Sequence, residues 1–137
     1  MPEVNDWNAK IIDEFRANQG RVGGRFEGAP VLLLTTTGAK TGQTRVNPMM
    51  YLVDNGTVHV FASKAGAPTN PAWYHNLVAN PEVTVELGTE TFKATARVLR
   101  EDDRTRVYAR QAELYPGFAE YQAKTERRIP VVALERA

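Results

Sequence analysis

Apolar and polar positions along this chain follow two periods, and the points where the period changes divide it into elements. Trp7, Ile11, Ile12 and Phe15 fall at i, i+4, i+5 and i+8, which draws one apolar stripe on a helix. Asp6 is placed to cap that helix and Gly20 to stop it, so an amphipathic helix is predicted within residues 5–19. The stripe suits a helix packed on a core; a helix resting on a membrane or covering an active site is the alternative. Gly20-Arg21-Val22-Gly23-Gly24 then reads as a flexible link.

The next stretch turns to strand patterns. Val31 to Thr36 is β-branched and leucine-rich, as in a buried strand, and Thr44 to Val53 makes a second strand, interrupted or bent at Pro48. Asp54-Asn55-Gly56 is a hairpin signal leading into an alternating third strand, Thr57 to Ala62. Asn70-Pro71 reads as the cap and first residue of a helix through Ala79, which Asn80-Pro81 ends. Glu82 to Leu87 and Thr91 to Leu99 alternate as strands around a turn at Gly88. A helix from Asp102 or Asp103 to Leu114 breaks at Tyr115-Pro116-Gly117, a second runs from Phe118 to Arg127, and Ile129 to Leu134 is the last strand. Six strands joined mainly by hairpins predict an α+β fold that is mainly β: one domain over residues 1–137, a six-stranded antiparallel barrel with helices covering its openings.

Composition narrows the function classes. The 137 residues hold one core, with 42% hydrophobic and 24% charged residues as in ordinary globular proteins. A formal net charge of +1 gives no global field for nucleic acid, and no basic stripe interleaved with aromatics appears, so anion binding must come from local clusters of the 17 basic residues. There is no cysteine, hence no disulfide, thiol nucleophile or thiolate metal site. No apolar run reaches the roughly 18 residues of a membrane span, and the expected location is cytoplasmic. His59 and His75 lack a third ligand at metal spacing, so no metal site is expected. Neither a nucleophile elbow nor a dinucleotide glycine fingerprint occurs; redox chemistry would need a bound organic cofactor.

Gly38-Ala39-Lys40-Thr41-Gly42, with Arg45 just beyond, sets cations in a glycine turn where exposed N–H groups can form an anion pocket. The same spacing also suits a plain hairpin with a solvated lysine. It is not a nucleotide P-loop, because Ala39 precedes Lys40 and Asn47-Pro48 favours extended backbone where a helix would have to follow. Phe61-Ala62-Ser63-Lys64-Ala65-Gly66 offers a second anion site or a solvated loop, and Trp73-Tyr74-His75-Asn76 opens the middle helix with either core aromatics or a ligand platform. Tyr115, Phe118 and Tyr121 at i, i+3, i+6 share one face if the backbone is helical. Such a face packs a core, or stacks on a planar substrate and donates a proton.

These residues carry a likeness. T-T-x-G-x-K-T-G-x-x-R-x-N-P-M at Thr35 to Met49, A-S-K-x-G at Ala62 to Gly66, N-P-x-W-Y-x-N-L at Asn70 to Leu77 and R-x-I-P-V at Arg127 to Val131 stand in register. In them the chain resembles the deazaflavin-dependent nitroreductase family of actinobacteria, within the flavin-binding split β-barrel superfamily. The resemblance implies the deazaflavin coenzyme F-420, whose phosphate and glutamate tail suit Lys40, Arg45 and Lys64. It places Ala39, Lys40 and Thr41 near that tail. Arg45, Val46, Asn47, Pro48, Met49 and Met50 run beside the coenzyme, and Phe61, Ala62, Ser63 and Lys64 line it. Ala72, Trp73, Tyr74, His75 and Asn76 complete the pocket, with Phe118 as a further contact.

The implied reaction is hydride transfer from the reduced coenzyme to an electron-poor acceptor such as a quinone, an enone or lactone, or a nitroaromatic. Ser63 and Tyr121 are the candidates to orient or protonate it, and Tyr115 to line its pocket. Nitroreducing members carry tyrosine where Phe118 stands, so other acceptors are expected to be preferred. The alternatives are an FMN-dependent split-barrel oxidoreductase and a non-enzymatic deazaflavin carrier. Pairing into a homodimer, and membrane contact through the first helix, stay open at this level.

Overall fold

The computed structural model describes residues 6–22 and 30–136. Its elements are α1 (Asp6–Ala17), β1 (Val31–Thr37), β2 (Thr44–Asp54), β3 (Thr57–Phe61), α2 (Ala72–Ala79), β4 (Glu82–Leu87), β5 (Glu90–Val98), α3 (Glu101–Leu114), α4 (Gly117–Lys124) and β6 (Val131–Arg136). The strands close into a barrel in the order β1-β2-β3-β6-β5-β4, antiparallel at every seam. The six-stranded antiparallel barrel expected from the sequence is the observed fold.

Alternation along each strand decides what is inside. Leu32 and Leu34 point into the barrel with Val60, Val83, Val85, Val132 and Leu134, while Val31 and Leu33 point out beneath α1. Both faces of β1 are therefore covered, which is why its apolar residues are consecutive rather than alternating. Ile11, Ile12 and Phe15 are buried on that outer face, with Phe15 only 2% exposed. Ile11, Ile12 and Phe15 of the α1 stripe are thus committed to the barrel wall. The side chain of Trp7, and the glycines at 23 and 24, lie outside the described residues.

Helix α2 closes one opening of the barrel. Its Leu77 enters the interior cluster, and Trp73 and Tyr74 pack against the same cluster; Leu77→Ala would cost about 2–5 kcal/mol by analogy with other core truncations. Helices α3 and α4 cover the outer face of β3 and β6, where Val107, Tyr108 and Phe118 meet Phe61, Val131 and Ala133.

Boundaries differ from the sequence reading where side chains capture backbone. Pro71, not Asn70, is the N-cap of α2, because the Asn70 side chain is turned to Arg127, whose Nη1 donates to its Oδ1 at 2.7 Å. Helix α4 stops at Lys124, since Thr125 is extended and its hydroxyl accepts the Arg127 N–H. Ile129 does not begin β6: its N–H donates to Gln122 Oε1 and its carbonyl accepts Arg104 Nε.

One departure from a uniform barrel matters most. β3 pairs with β2 only between Tyr51–Asp54 and Thr57–Val60, whereas β1 holds β2 from Thr44 to Met50. Beyond Val60 the two strands splay, so the second edge of Thr44–Met50 has no strand partner among the described residues. Pro48 lies in this stretch, paired with Leu33. β2 runs through it unbroken because a proline is tolerated where one strand edge is free.

Candidate functional site

The glycine turn at the end of β1 is tightly organised. Gly38 N–H donates to the Gln43 carbonyl at 2.7 Å, Gly42 N–H to the Gly38 carbonyl at 3.0 Å, and Gln43 N–H to Thr41 Oγ1 at 3.2 Å. Gly42 takes φ +74°, a conformation costly for a residue with a Cβ. Ala39 N–H donates to Asn76 Oδ1 on α2 at 3.1 Å. Most of the N–H groups that a phosphate could have used are therefore engaged within the protein; those of Lys40 and Thr41 find no acceptor among the described residues. The anion-attracting element of this turn is accordingly its exposed lysine more than a nest of amides.

Asn76 is the joint between loops. Its Nδ2 donates to Thr36 Oγ1 at 3.2 Å while its Oδ1 holds Ala39, and Asn80 Nδ2 donates to the Thr37 carbonyl at 3.3 Å. Thr36 in turn pairs across the barrel wall with Arg45. At the other end of α2, Pro71 follows directly on the loop that carries Ser63 and Lys64. An eight-residue helix is about 12 Å long, so Lys40, Arg45 and Lys64 stand on segments attached to one short rod. The helix thus links the segments that carry these three residues.

None of the three has a carboxylate partner among the described residues; Lys64 Nζ reaches only Thr69 Oγ1, at 3.2 Å. From Pro30 to Pro81 the chain contains a single carboxylate, Asp54, and that one is held by Arg106 at 2.7 Å. This acid-free stretch of sequence is a signal that motif reading passes over. The first turn of α2 also lacks an acidic residue and a capping side chain, so the positive end of its dipole adds to the same field.

Strand alternation sorts the residues beside the split. Met49 and Tyr51 belong to the interior cluster, Val46 and Met50 to the cluster beneath α1. Arg45 and Asn47 share the parity of Met49, and Pro48 that of Met50. A ligand along this edge would meet the backbone of the whole run but side chains of one parity. Across the opening, Ser63 is half-buried and Lys64 exposed, whereas Phe61 and Ala62 are buried. On α2, Ala72 and His75 are exposed, and Trp73 and Tyr74 are partly so.

The aromatic face is reorganised relative to expectation. Tyr115 ends α3 in a non-helical conformation, so it does not continue one helical face with Phe118 and Tyr121. Phe118 is 8% exposed and packs edge-on against Phe61 at 5.6 Å and Tyr121 at 5.3 Å between ring centroids; its ring supports Tyr121 from behind. Burial pushes the Tyr108 phenol up to about 12, and its hydroxyl donates to the Phe118 carbonyl at 2.6 Å, which marks it as structural. Burial, with Tyr115 nearby, also raises Tyr51. Tyr115 and Tyr121 stay half-exposed. Arg127 had only a place in a motif; the structure shows it fastening the Ser63–Lys64 loop, a role that contacts with backbone carbonyls hide from sequence.

Known proteins match both the fold and the sequence. The profile of the family described as F420H(2)-dependent quinone reductase matches residues 7–136. A protein of that description from Mycobacterium tuberculosis is 42% identical over 128 residues, covering 89% of this chain and 85% of the relative. Among solved structures, an F420-H2 dependent reductase superposes with a TM-score of 0.71 at 45% identity, covering 77% of this chain and 94% of that one. A second, described as a domain-swapped dimer, gives 0.73 at 41% identity over 93% of each chain. Fold and relatives together define a split-barrel oxidoreductase that uses a deazaflavin coenzyme. The chain belongs to the F420H(2)-dependent quinone reductase family.

Proposed function

We propose that this chain reduces a quinone with reduced coenzyme F-420 bound along the split between β2 and β3. The observation that carries the reading is the set of cations Lys40, Arg45 and Lys64, free of carboxylates among the described residues, on segments tied to α2 through Asn76 and Asn80 in its C-terminal half and through Pro71 at its start. The donor set fits the group: a phosphate and carboxylate tail is polyanionic, and charge-assisted hydrogen bonds to it are strong.

When bound, the reduced deazaflavin ring supplies a hydride from C5. Lys40, Arg45 and Lys64 would hold the anionic tail. Asn47, the backbone of Pro48 and Met49, and Ser63 would hold the ring. Trp73 and Tyr74 would close the end of the site at α2. Ser63 and Tyr121 would orient or protonate the acceptor, a single proton sufficing beside the hydride to give a quinol, and Tyr115 would line the acceptor's pocket. Holding the two reactants face to face is the larger part of the catalysis. Phe118 provides no hydroxyl, so quinones and enones are favoured over bicyclic nitroimidazoles.

Titration of the purified protein with coenzyme F-420 and with FMN, followed by turnover with reduced coenzyme F-420 and a soluble quinone, tests the reading. Tight F-420 binding with steady quinone reduction supports it. Preference for FMN, or binding without turnover, replaces it with a flavin enzyme or a carrier. Pairing of two copies is a finer proposal, prompted by the domain-swapped neighbour; a monomer by sedimentation under turnover conditions would remove it.

A further inference from the structure

We propose that Arg127 is a positioning residue for the coenzyme site: it holds Ala62–Asn70 in the shape that presents Ser63 and Lys64, and keeps its own charge unneutralised behind that loop. The proposal rests on the reading of the split as the coenzyme site.

An arginine has five N–H donors in a fixed plane, and here all five are used. Nε donates to the Ala67 carbonyl at 3.1 Å, Nη1 to the Ala62 carbonyl at 2.9 Å and Asn70 Oδ1 at 2.7 Å, and Nη2 to the carbonyls of Ser63 at 2.9 Å and Ala67 at 2.8 Å. Every acceptor lies within Ala62–Asn70, and every one is neutral. The loop needs such a fastener. Its Lys64 has φ +47° and Gly66 φ +81°, and a Cβ on Gly66 would stand 2.8 Å from the Tyr121 carbonyl, so the turn sits directly against α4.

Arg127 is itself anchored. Its N–H donates to Thr125 Oγ1, and its carbonyl accepts Gln122 Nε2 at 2.7 Å. Gln122 Oε1 accepts from Ile129 N–H and from Arg104 Nη2. The chain of contacts runs from α3 and α4 through Arg127 into the loop, so the side carrying Tyr121 and the side carrying Lys64 are set relative to one another. A guanidinium ringed by carbonyls keeps its full positive charge, which faces the loop that the anionic tail would approach. Lysine at this position would keep the charge but could not hold the fork.

Hydrogen exchange on the ligand-free protein tests the positioning directly. In the wild type the amides of Gly66 and Ala67, both hydrogen-bonded, should be protected, and Arg127→Lys should release them while the barrel strands keep their protection and the thermal midpoint stays high. Fast exchange of these amides in the wild type overturns the proposal even if the variant fails to fold. Arg127→Lys should also weaken coenzyme F-420 binding roughly tenfold or more. Asn70→Asp retains the fork and neutralises the charge; it should leave loop exchange unchanged and weaken coenzyme binding several-fold. Wild-type affinity in both variants overturns the inference. Absence of F-420 binding in the wild type instead overturns the functional reading, while the exchange result still stands or falls on its own.

Discussion

Along β4, β5 and β6, at the Asp54 hairpin and at the start of α3, each of Arg16, Arg97, Arg106, Arg128 and Arg136 reaches a carboxylate. At the split, Lys40, Arg45, Lys64 and Arg127 reach none among the described residues. The helix N-termini divide the same way. α3 begins with Glu101, Asp102 and Asp103, while α2 has no acid in its first turn. Paired surface cations add little to stability; unpaired ones leave a field that an anion can use. The difference teaches that a cation beside a carboxylate closes an ion pair, while a cation at the split, without a carboxylate among the described residues, leaves its charge open to an anion.

The largest effect should come from reversing one charge at the split. Lys64→Glu is expected to weaken coenzyme F-420 binding roughly hundredfold and to leave the thermal midpoint nearly unchanged, as titration and melting would show. Gly66→Ala should act on the fold instead. With φ +81° and no room for a Cβ against α4, it is expected to destabilise by about 2 kcal/mol in urea unfolding. An unaltered midpoint would mean that the loop and α4 are not in register.

Acid should act on the paired side. His59 is buried beside Asp54 and Arg106, and its Nδ1 has no partner among the described residues. Burial, the largest influence, holds its pKa below the ordinary 6.5, with Asp54 opposing. The unfolded chain therefore takes up this proton at a higher pH than the fold does. His59's contribution is complete above pH 6.5 and declines as the pH falls below it toward the folded value. Urea midpoints should drop from pH 7.5 to pH 5.5, less so in His59→Phe; a rise on acidification would be contrary. The smallest effect belongs to Arg97→Ala, which loses its exposed pair with Glu135: coenzyme affinity unchanged and stability altered by less than about 1 kcal/mol.

Much of this fold was legible because strand pattern and burial coincide. Leu32 and Leu34 against Val31 and Leu33, the Asp54-Asn55-Gly56 hairpin and the alternation of β4 and β5 each report a local environment that the sequence repeats. The cationic turn and the Ser63-Lys64 loop were legible as candidates by residue type, and the likeness to deazaflavin-dependent proteins joined them. The roles of Arg127, Asn76 and Gln122 were not. Their partners are carbonyls, a hydroxyl and backbone N–H groups, which any sequence supplies. The ends of α4 and β6 were misplaced for the same reason, since side chains from elsewhere captured the backbone at Thr125 and Ile129. Phe118 and Tyr115 show the complementary limit: an aromatic spacing of three implies a shared face only if the helix is continuous, and Tyr115-Pro116 interrupts it.

The central claim is that unpaired cations at the split hold a polyanionic coenzyme, and the salt dependence of coenzyme F-420 binding tests it most directly. Affinity should fall steeply as potassium chloride rises, and Lys40→Ala, Arg45→Ala and Lys64→Ala should each flatten that dependence while Arg97→Ala and Arg136→Ala leave it as in the wild type. Salt-independent affinity, or a slope altered equally by the paired arginines, would contradict the account.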